Sequence, residues 1–269
     1  MKLAAWLDHT STVLADNMLP TARLDTEIIL AHTLNKPRTW LHAHGADELD
    51  PRRKDIADAR AQLRLERVPI AYIIGHKEFY GRRFRVTPDT LIPRPESEAL
   101  VTLAKRHAAG AKRAIDVGTG SGCLGVTLAL ELPTLSDITL TDTNKRALAV
   151  AQQNAATYDV APRLLESDLL DAYPLRADLL VANLPYVDPT WPDNSPELAH
   201  EPATALYAGT QGLALIMRLI RQTPDHLAPA GILILEADVR QHQAVINDAR
   251  RHGFAHLETE GLALAFGLS

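Results

Sequence analysis

The chain has 269 residues, of which 46% are hydrophobic and 23% charged, and its formal net charge is −5. This composition excludes a disordered chain, and the acidic balance disfavours a protein that holds nucleic acid mainly through its phosphates. The single cysteine, Cys123, excludes an intrachain disulfide and fits a reducing compartment.

Residues 1–68 are predicted to form a small helical domain, because apolar residues recur at helical spacing and Pro51 suits a first helical position. Asp8 and His9 interrupt the apolar core that a signal peptide needs. No apolar run approaches the roughly 20 residues of a membrane span. We therefore expect a cytoplasmic protein without membrane contact.

A hairpin and a proline-rich linker are expected over residues 69–95. Ile70–Ile74 is apolar and β-branched, and a short hairpin can join Glu78–Tyr80 to Phe84–Val86. The stretch Thr87–Glu96 is rich in proline, which cannot donate a backbone hydrogen bond. We therefore place a stiff linker and the domain junction here.

Strands and helices alternate over residues 96–269, which predicts a mostly parallel sheet with helices on both faces. The expected strands are Ala114–Val117, Ile138–Thr141, Leu164–Glu166, Asp178–Ala182 and Ile232–Leu235. The expected helices are Leu124–Leu132, Asn144–Thr157, Leu213–Gln222 and Val239–His252. The predicted fold class is therefore α/β, a Rossmann-like sheet preceded by a small helical domain.

The first of these strands runs into a glycine-rich loop, Asp116-Val-Gly-Thr-Gly-Ser-Gly122. Glycine permits positive φ and a close ligand approach, and ligands of open α/β sheets bind at the carboxyl ends of strands. Asp142 ends the second strand, where a carboxylate can accept hydrogen bonds from ribose hydroxyls. The pattern leaves the cofactor open, because Gly120–Gly125 also matches the dinucleotide fingerprint and Asp142 could instead cap the next helix.

The tetrapeptide Asn183-Leu184-Pro185-Tyr186 follows the fourth strand and indicates the chemistry. The Asn183 side-chain oxygen and the Leu184 backbone carbonyl can accept the two N–H bonds of a planar –NH2 group. Pro185 restricts Leu184 to extended conformations that aim this carbonyl into the site, and Tyr186 offers an aromatic face to the amide or base plane. We assign catalysis and substrate binding to these four residues, with no metal and no covalent intermediate.

The chain resembles the release-factor glutamine methyltransferases of the PrmC/HemK type. Methyltransferases that modify amide or adenine nitrogens carry an Asn/Asp-Pro-Pro-Tyr signature, which Asn183–Tyr186 matches except at Leu184. Where this family usually has Glu-x-Gly, the chain has Glu236-Ala-Asp238. The other similar stretches occur in order along nearly the whole chain: Arg23–Leu30, Pro69–Gly75, Glu78–Gly81, Leu91–Glu96, Asp116–Gly122, Ser167–Asp168, Glu201–Pro202 and Gly209–Leu213.

The resemblance implies that S-adenosylmethionine is the cofactor and that the glutamine of the Gly-Gly-Gln motif in peptide chain release factors is the substrate. It implies that the glycine loop cradles the methionine part, that Asp142 holds the ribose, and that Asp168 and Leu169 flank the adenine. It also implies release-factor recognition by the helical domain, and we expect a monomer without direct nucleic-acid contact. The implied cofactor residues are Asp116, Gly118, Thr119, Gly120, Ser121, Gly122, Asp142, Asp168, Leu169 and Asn183.

Other interpretations stay open at this point. An adenine amino-group methyltransferase acting on nucleic acid would also use Asn183 to accept an N–H of the reacting –NH2 group. The net charge disfavours this interpretation. A glutamine methyltransferase acting on a ribosomal protein would use the same chemistry. A non-catalytic binding module and a nicotinamide oxidoreductase are the remaining alternatives. Arg94, Glu96 and Glu98 fit either a loop that closes over the site or a salt-bridged linker.

Overall fold

The protein is described here by a computed structural model that covers residues 1–191 and 195–268. The chain divides into two compact units, and the first comprises Met1–Gly75 together with Ser195–His200. The rest of the chain from His76 onward forms the second unit, which therefore includes the hairpin. Within the described ranges, no helix is both long enough and apolar enough to cross a bilayer.

The first unit is helical. Pro51 is the first residue of its fourth helix, and the Asp50 side chain caps that helix by accepting the Arg53 N–H at 3.0 Å. The apolar run Ile70–Ile74 forms a short helix, and Gly75 ends this helix in the left-handed conformation at φ +77°. The elements are α1 (Leu3–Asp16), α2 (Ala22–Leu34), α3 (Arg38–Ala43), α4 (Pro51–Leu65), α5 (Ile70–Ile74) and a 3-10 turn (Pro196–His200).

A buried charge network joins α2, α4 and the 3-10 turn within the first unit. The Arg64 side chain is 7% exposed and forms ion pairs with Asp25 at 2.7 Å and Glu197 at 3.1 Å. Breaking a buried pair by removing one partner costs about 3–5 kcal/mol. The network therefore holds the segment Ser195–His200 in the helical unit.

The second unit contains a sheet that, over the described residues, has seven strands in the order β5-β4-β3-β6-β7-β9-β8. Strands β3 to β7 pair in parallel, and β8 and β9 are antiparallel. The strands are β1 (His76–Phe79) and β2 (Arg82–Arg85) of the hairpin, then β3 (Arg113–Val117), β4 (Asp137–Asp142), β5 (Arg163–Glu166), β6 (Ala177–Ala182), β7 (Leu227–Glu236), β8 (Phe254–Glu260) and β9 (Ala263–Leu268). The helices are α6 (Glu98–His107), α7 (Cys123–Glu131), α8 (Lys145–Thr157), α9 (Ala203–Leu206), α10 (Ala214–His226) and α11 (His242–Arg251).

Helices cover both faces of the sheet. On β3, Ala114 packs into a core with α6, α7 and α8, whereas its neighbour Ile115 packs into a second core with α10 and α11. Burial on both faces accounts for the continuous apolar runs Leu179–Ala182 in β6 and Ile232–Leu235 in β7. The predicted Rossmann-like α/β sheet with a helical N-terminal region is confirmed.

Strands β8 and β9 and helix α6 were not predicted. Strand β8 lies at the sheet edge, and its half-buried positions His256, Glu258 and Glu260 carry polar or charged side chains. Charged side chains on an edge strand discourage further strand pairing. They also interrupt the apolar pattern by which a strand is recognised in a sequence. The antiparallel pair therefore becomes evident only in the structure.

Candidate active site

A cavity of about 430 Å³ lies in the second unit, at the carboxyl ends of the parallel strands. Ligands of open α/β sheets bind at this edge, and small-molecule sites have volumes of about 300–1,000 Å³. The loops that follow β3, β4, β5 and β6 contribute Asp116–Ser121, Asp142–Asn144, Ser167–Leu169 and Asn183–Pro185 to its lining.

Two of the predicted site residues do not line this cavity. Gly122 precedes α7 at φ +79°, and a Cβ built there would lie 2.9 Å from the Cβ of Ala151, so it serves helix packing. Tyr186 is directed elsewhere, because its hydroxyl donates a hydrogen bond to Glu236 Oε1 at 3.0 Å. Their contacts with cofactor and substrate remain predictions.

The glycine loop needs glycine for two different reasons. Gly118 has φ +71°, and a Cβ built there would lie 3.0 Å from the Leu184 side chain. Gly120 has φ +54°, and a Cβ there would meet nothing within 4 Å, so this part of the loop faces open space beside the cavity. Glycine therefore permits the turn and leaves the backbone accessible to a ligand.

Asp116 ties the glycine loop to the start of α7. Its buried carboxylate accepts the Thr119 hydroxyl at 2.6 Å and the Gly125 N–H at 2.9 Å. Burial raises the pKa of Asp116 to about 6, and these two hydrogen bonds oppose that rise. Asp116 therefore stabilises the conformation of the glycine loop and also lines the cavity.

Asp142 spans two backbone segments at the cavity. Its two carboxylate oxygens accept the N–H groups of Gly120 and Asn144, each at 2.9 Å, and burial raises its pKa. Asn144 caps α8 by accepting the Arg146 N–H at 2.9 Å. The helix-capping interpretation of Asp142 was therefore wrong, and its remaining lone pairs are available to a ligand in the cavity.

Asp168 and Leu169 line the same cavity at the end of β5. The half-exposed Asp168 carboxylate forms an ion pair with Arg218, which also lines the cavity. Leu169 is buried and has φ +53°. The structure brings both residues to the predicted place, while their contacts with adenine remain predictions.

Asn183 and Leu184 present different groups at the cavity. The Asn183 amide nitrogen Nδ2 donates to Ser97 Oγ at 2.8 Å, which leaves the amide oxygen Oδ1 free to accept. The Leu184 side chain is only 4% exposed and packs in the core. Position 184 can therefore act on a ligand through its backbone, as the sequence pattern predicts.

Arg94 both lines the cavity and forms an ion pair, so its contacts fit the loop and the salt-bridged linker equally. Arg94 Nη2 lies 2.5 Å from Glu201 Oε1, and Glu201 Oε2 accepts the Ile92 N–H at 3.0 Å. Glu98 accepts the Tyr80 N–H at 2.7 Å and so joins the hairpin to α6. Glu201 was not predicted as a site residue, although Glu201-Pro202 belongs to the stretches that resemble the family.

Neither a thiolate nor a metal-binding cluster is found among the residues that the structure describes. Burial raises the pKa of the Cys123 thiol to about 12, so it stays protonated at neutral pH. In the part of the chain that the structure describes, no group of three His, Cys, Asp or Glu side chains is arranged to hold a metal ion.

Among solved structures, the chain is similar to a methyltransferase from Pyrococcus furiosus. The TM-score is 0.55 at 17% identity, and the match covers 79% of this chain and 98% of the other. At this identity the likeness shows the fold alone.

Sequence relatives identify the family. Residues 5–75 match the model of the PrmC N-terminal domain, and residues 96–201 match that of the methyltransferase small domain. The release factor glutamine methyltransferase of Bordetella pertussis is 36% identical over 254 residues, which is 92% of each chain. That of Cereibacter sphaeroides is 39% identical over 243 residues, or 88% of this chain and 85% of the relative. With these relatives and this cavity, the chain belongs to the release factor glutamine methyltransferase family and is an S-adenosylmethionine-dependent methyltransferase.

Proposed function

We propose that this enzyme methylates the side-chain amide nitrogen of the glutamine in the Gly-Gly-Gln motif of peptide chain release factors. The observation that carries this proposal is the orientation of Asn183 at the cavity. Its Nδ2 is held by Ser97 at 2.8 Å, so its Oδ1 can accept an N–H from a planar amide. The family membership supplies the substrate class.

The cavity residues fit S-adenosylmethionine. A ribose diol needs acceptors, and the Asp142 carboxylate has lone pairs left after it accepts from Gly120 and Asn144. The open backbone of the glycine loop would hold the methionine part, and Asp168 and Leu169 would flank the adenine. When bound, the cofactor supplies a methyl group on a positively charged sulfur.

The protein contributes orientation and electrostatics to the transfer. An amide nitrogen is a poor nucleophile because its lone pair is delocalised into the carbonyl. Asn183 Oδ1 and the Leu184 carbonyl would accept its two N–H bonds and raise the electron density on nitrogen. The same two contacts would hold the remaining face of the nitrogen towards the glycine-loop side of the cavity. Such positioning can lower a barrier by several kcal/mol.

The helical unit is proposed to recognise the body of the release factor. We also propose that the enzyme acts as a monomer, in the cytoplasm and without direct nucleic-acid contact. The net charge of −5 and the single cysteine support the last two of these statements.

The test is mass spectrometry of purified release factors after incubation with the full-length enzyme and S-adenosylmethionine. We expect one added methyl group on the glutamine of Gly-Gly-Gln, and none when that glutamine is replaced by glutamate. A ribosomal protein and an adenine-containing oligonucleotide serve as competing substrates. Methylation of either one, with none on the release factors, would overturn the proposal.

A further inference from the structure

Glu236 lies next to the substrate-binding loop without lining the cavity. The register of β6 and β7 pairs Ala182 with Leu235, so the next residues on these parallel strands, Asn183 and Glu236, are adjacent. Glu236 is 1% exposed, and it is the last residue of β7. Burying a charged carboxylate is unfavourable unless neighbouring groups stabilise it, because the charge loses its hydration.

Donor groups surround this carboxylate. The Tyr186 hydroxyl donates to Oε1 at 3.0 Å. Burial raises the pKa of Glu236, and the charge of Glu96 adds to this rise, whereas the nearby side chains of Ser97 and Asn183 oppose it. Tyr186 provides the one aligned hydrogen bond among the described residues, and Oε2 is buried without an aligned partner. The Oε2 atom can therefore accept from the hydroxyl and amide groups beside it.

The chemistry of a carboxylate sets the direction of these hydrogen bonds. In its ionised form the Glu236 carboxylate can only accept, so the groups that face it then donate. Ser97 Oγ already accepts from Asn183 Nδ2 at 2.8 Å, which leaves its one proton available to the neighbouring Glu236 carboxylate. A reversed Asn183 amide would place Oδ1 against the carboxylate, where two acceptors repel each other.

We propose that Glu236 is a positioning residue that acts with Ser97 to fix the Asn183 amide with its nitrogen inward and its oxygen towards the substrate. This role rests on the proposed function, because it matters only if Asn183 Oδ1 accepts an N–H of the reacting amide. Asn183 touches the substrate in this scheme, whereas Glu236 acts through Asn183.

The first variant is Glu236→Gln, which keeps the shape but adds donor groups. The new amide can face either end of Asn183, so both orientations become populated. We expect kcat on a Gly-Gly-Gln domain to fall at least about tenfold. We expect the Kd for S-adenosylmethionine to change less than about twofold, and the melting temperature not to fall, because a buried charge has been removed.

The second variant tests orientation directly. Asn183→Asp carries two oxygens, so it presents an acceptor to the substrate in either orientation. In the Glu236→Gln background, the new carboxylate can accept from the new amide and from Ser97. We expect the double variant to exceed Glu236→Gln in kcat by at least about fivefold. Asn183→Asp alone would bring two carboxylates together, and we expect it to be slower than the double variant.

A matched control is Asp248→Asn on α11. This aspartate is also buried, at 8% exposed, and its Oδ2 accepts no aligned hydrogen bond among the described residues, although it lies 3.8 Å from His252 Nδ1. Asp248 does not line the cavity, so we expect the kcat of Asp248→Asn to stay within about twofold of the wild-type value. An equal loss of kcat in this control would attribute the effect to general loss of a buried carboxylate and overturn the proposal.

The outcomes separate the two proposals. A wild-type enzyme that does not methylate the release factor refutes the proposed function. A wild-type enzyme that methylates it, while folded Glu236→Gln keeps kcat within about twofold, refutes only the positioning role. A double variant no faster than Glu236→Gln also refutes the positioning role. If Glu236→Gln does not fold, the kcat of Ser97→Ala tests the positioning role instead. A wild-type kcat in the folded Ser97→Ala variant overturns the proposal.

Discussion

The Asp142 carboxylate accepts the Gly120 N–H at 2.9 Å, so the proposed ribose ligand also holds the glycine loop in place. Asp142→Ala removes both functions at once. We expect the affinity for S-adenosylmethionine to fall by about 1.5–3 kcal/mol, measured by calorimetry. Asp142→Asn keeps an acceptor for the Gly120 N–H, so its affinity for S-adenosylmethionine should fall less than that of Asp142→Ala. Unchanged affinity in the alanine variant would contradict the assignment.

Asn183→Ala should impair turnover more than cofactor binding. It leaves a substrate N–H without its acceptor in a buried site, at a cost of roughly 1–3 kcal/mol before any loss of polarisation. Single-turnover methylation of a Gly-Gly-Gln domain should slow by about tenfold to a hundredfold. The assignment fails if this variant turns over at nearly the wild-type rate.

Leu184→Pro should keep activity but lose stability. The substitution keeps the backbone carbonyl proposed to accept the second substrate N–H, and it restores the residue that related methyltransferases usually carry. However, it removes part of a side chain that is only 4% exposed, so we expect a loss of about 1–2 kcal/mol in the free energy of unfolding. Urea denaturation and single-turnover assays measure the two effects. A folded variant without turnover would show that position 184 does not act through its carbonyl.

Asp116→Asn should change how stability depends on pH. The folded-state pKa of Asp116 is about 6, above the ordinary value of 3.8, because burial disfavours the charged form. The wild-type protein therefore loses stability as pH rises from about 4 to about 6, whereas the asparagine does not titrate. The stability advantage of Asp116→Asn should grow across that window to at most about 3 kcal/mol and then level off. Urea denaturation of the cofactor-free proteins over this range provides the test, and a difference independent of pH would contradict the expectation.

A chain that begins at His76 should separate cofactor binding from substrate recognition. This start keeps the hairpin, which is attached to α8 by hydrogen bonds between Arg85 and Asn154 at 2.7 and 3.0 Å. A start near Thr87 would remove it. We expect the shortened chain to bind S-adenosylmethionine, and its kcat/KM on an intact release factor to fall at least about tenfold. Cofactor binding serves as the control for folding, and full activity on the intact factor would refute the division of roles.

The two main motifs could be located from the sequence for a physical reason. The glycine loop and the Asn183–Tyr186 loop each follow a buried apolar strand, and the carboxyl ends of parallel strands meet at one edge. The role of Asp142 could not be decided in the same way. Asn144, two residues later, is an equally good cap, and only the structure shows which of them accepts the helix N–H.

The contacts of the polar side chains that support the substrate-binding loop, Ser97 and Glu236, could not be predicted from the sequence. Ser97 lies 86 residues before its partner Asn183, and Glu236 lies 50 residues after its partner Tyr186. Contacts over such separations leave no local pattern of spacing. Tyr186 illustrates the result, because its sequence position suggests a substrate contact while its hydroxyl is engaged by Glu236.

The placement of Ser195–His200 in the helical unit has a consequence for biosynthesis. Arg64 can pair with Asp25 as soon as α4 has been made, but its second partner, Glu197, is 133 residues further along the chain. At about 5–20 residues per second, the ribosome needs roughly 7 to 27 seconds to supply it. The helical unit is thus encoded first, yet its last ion pair can form only when most of the catalytic unit has already been translated.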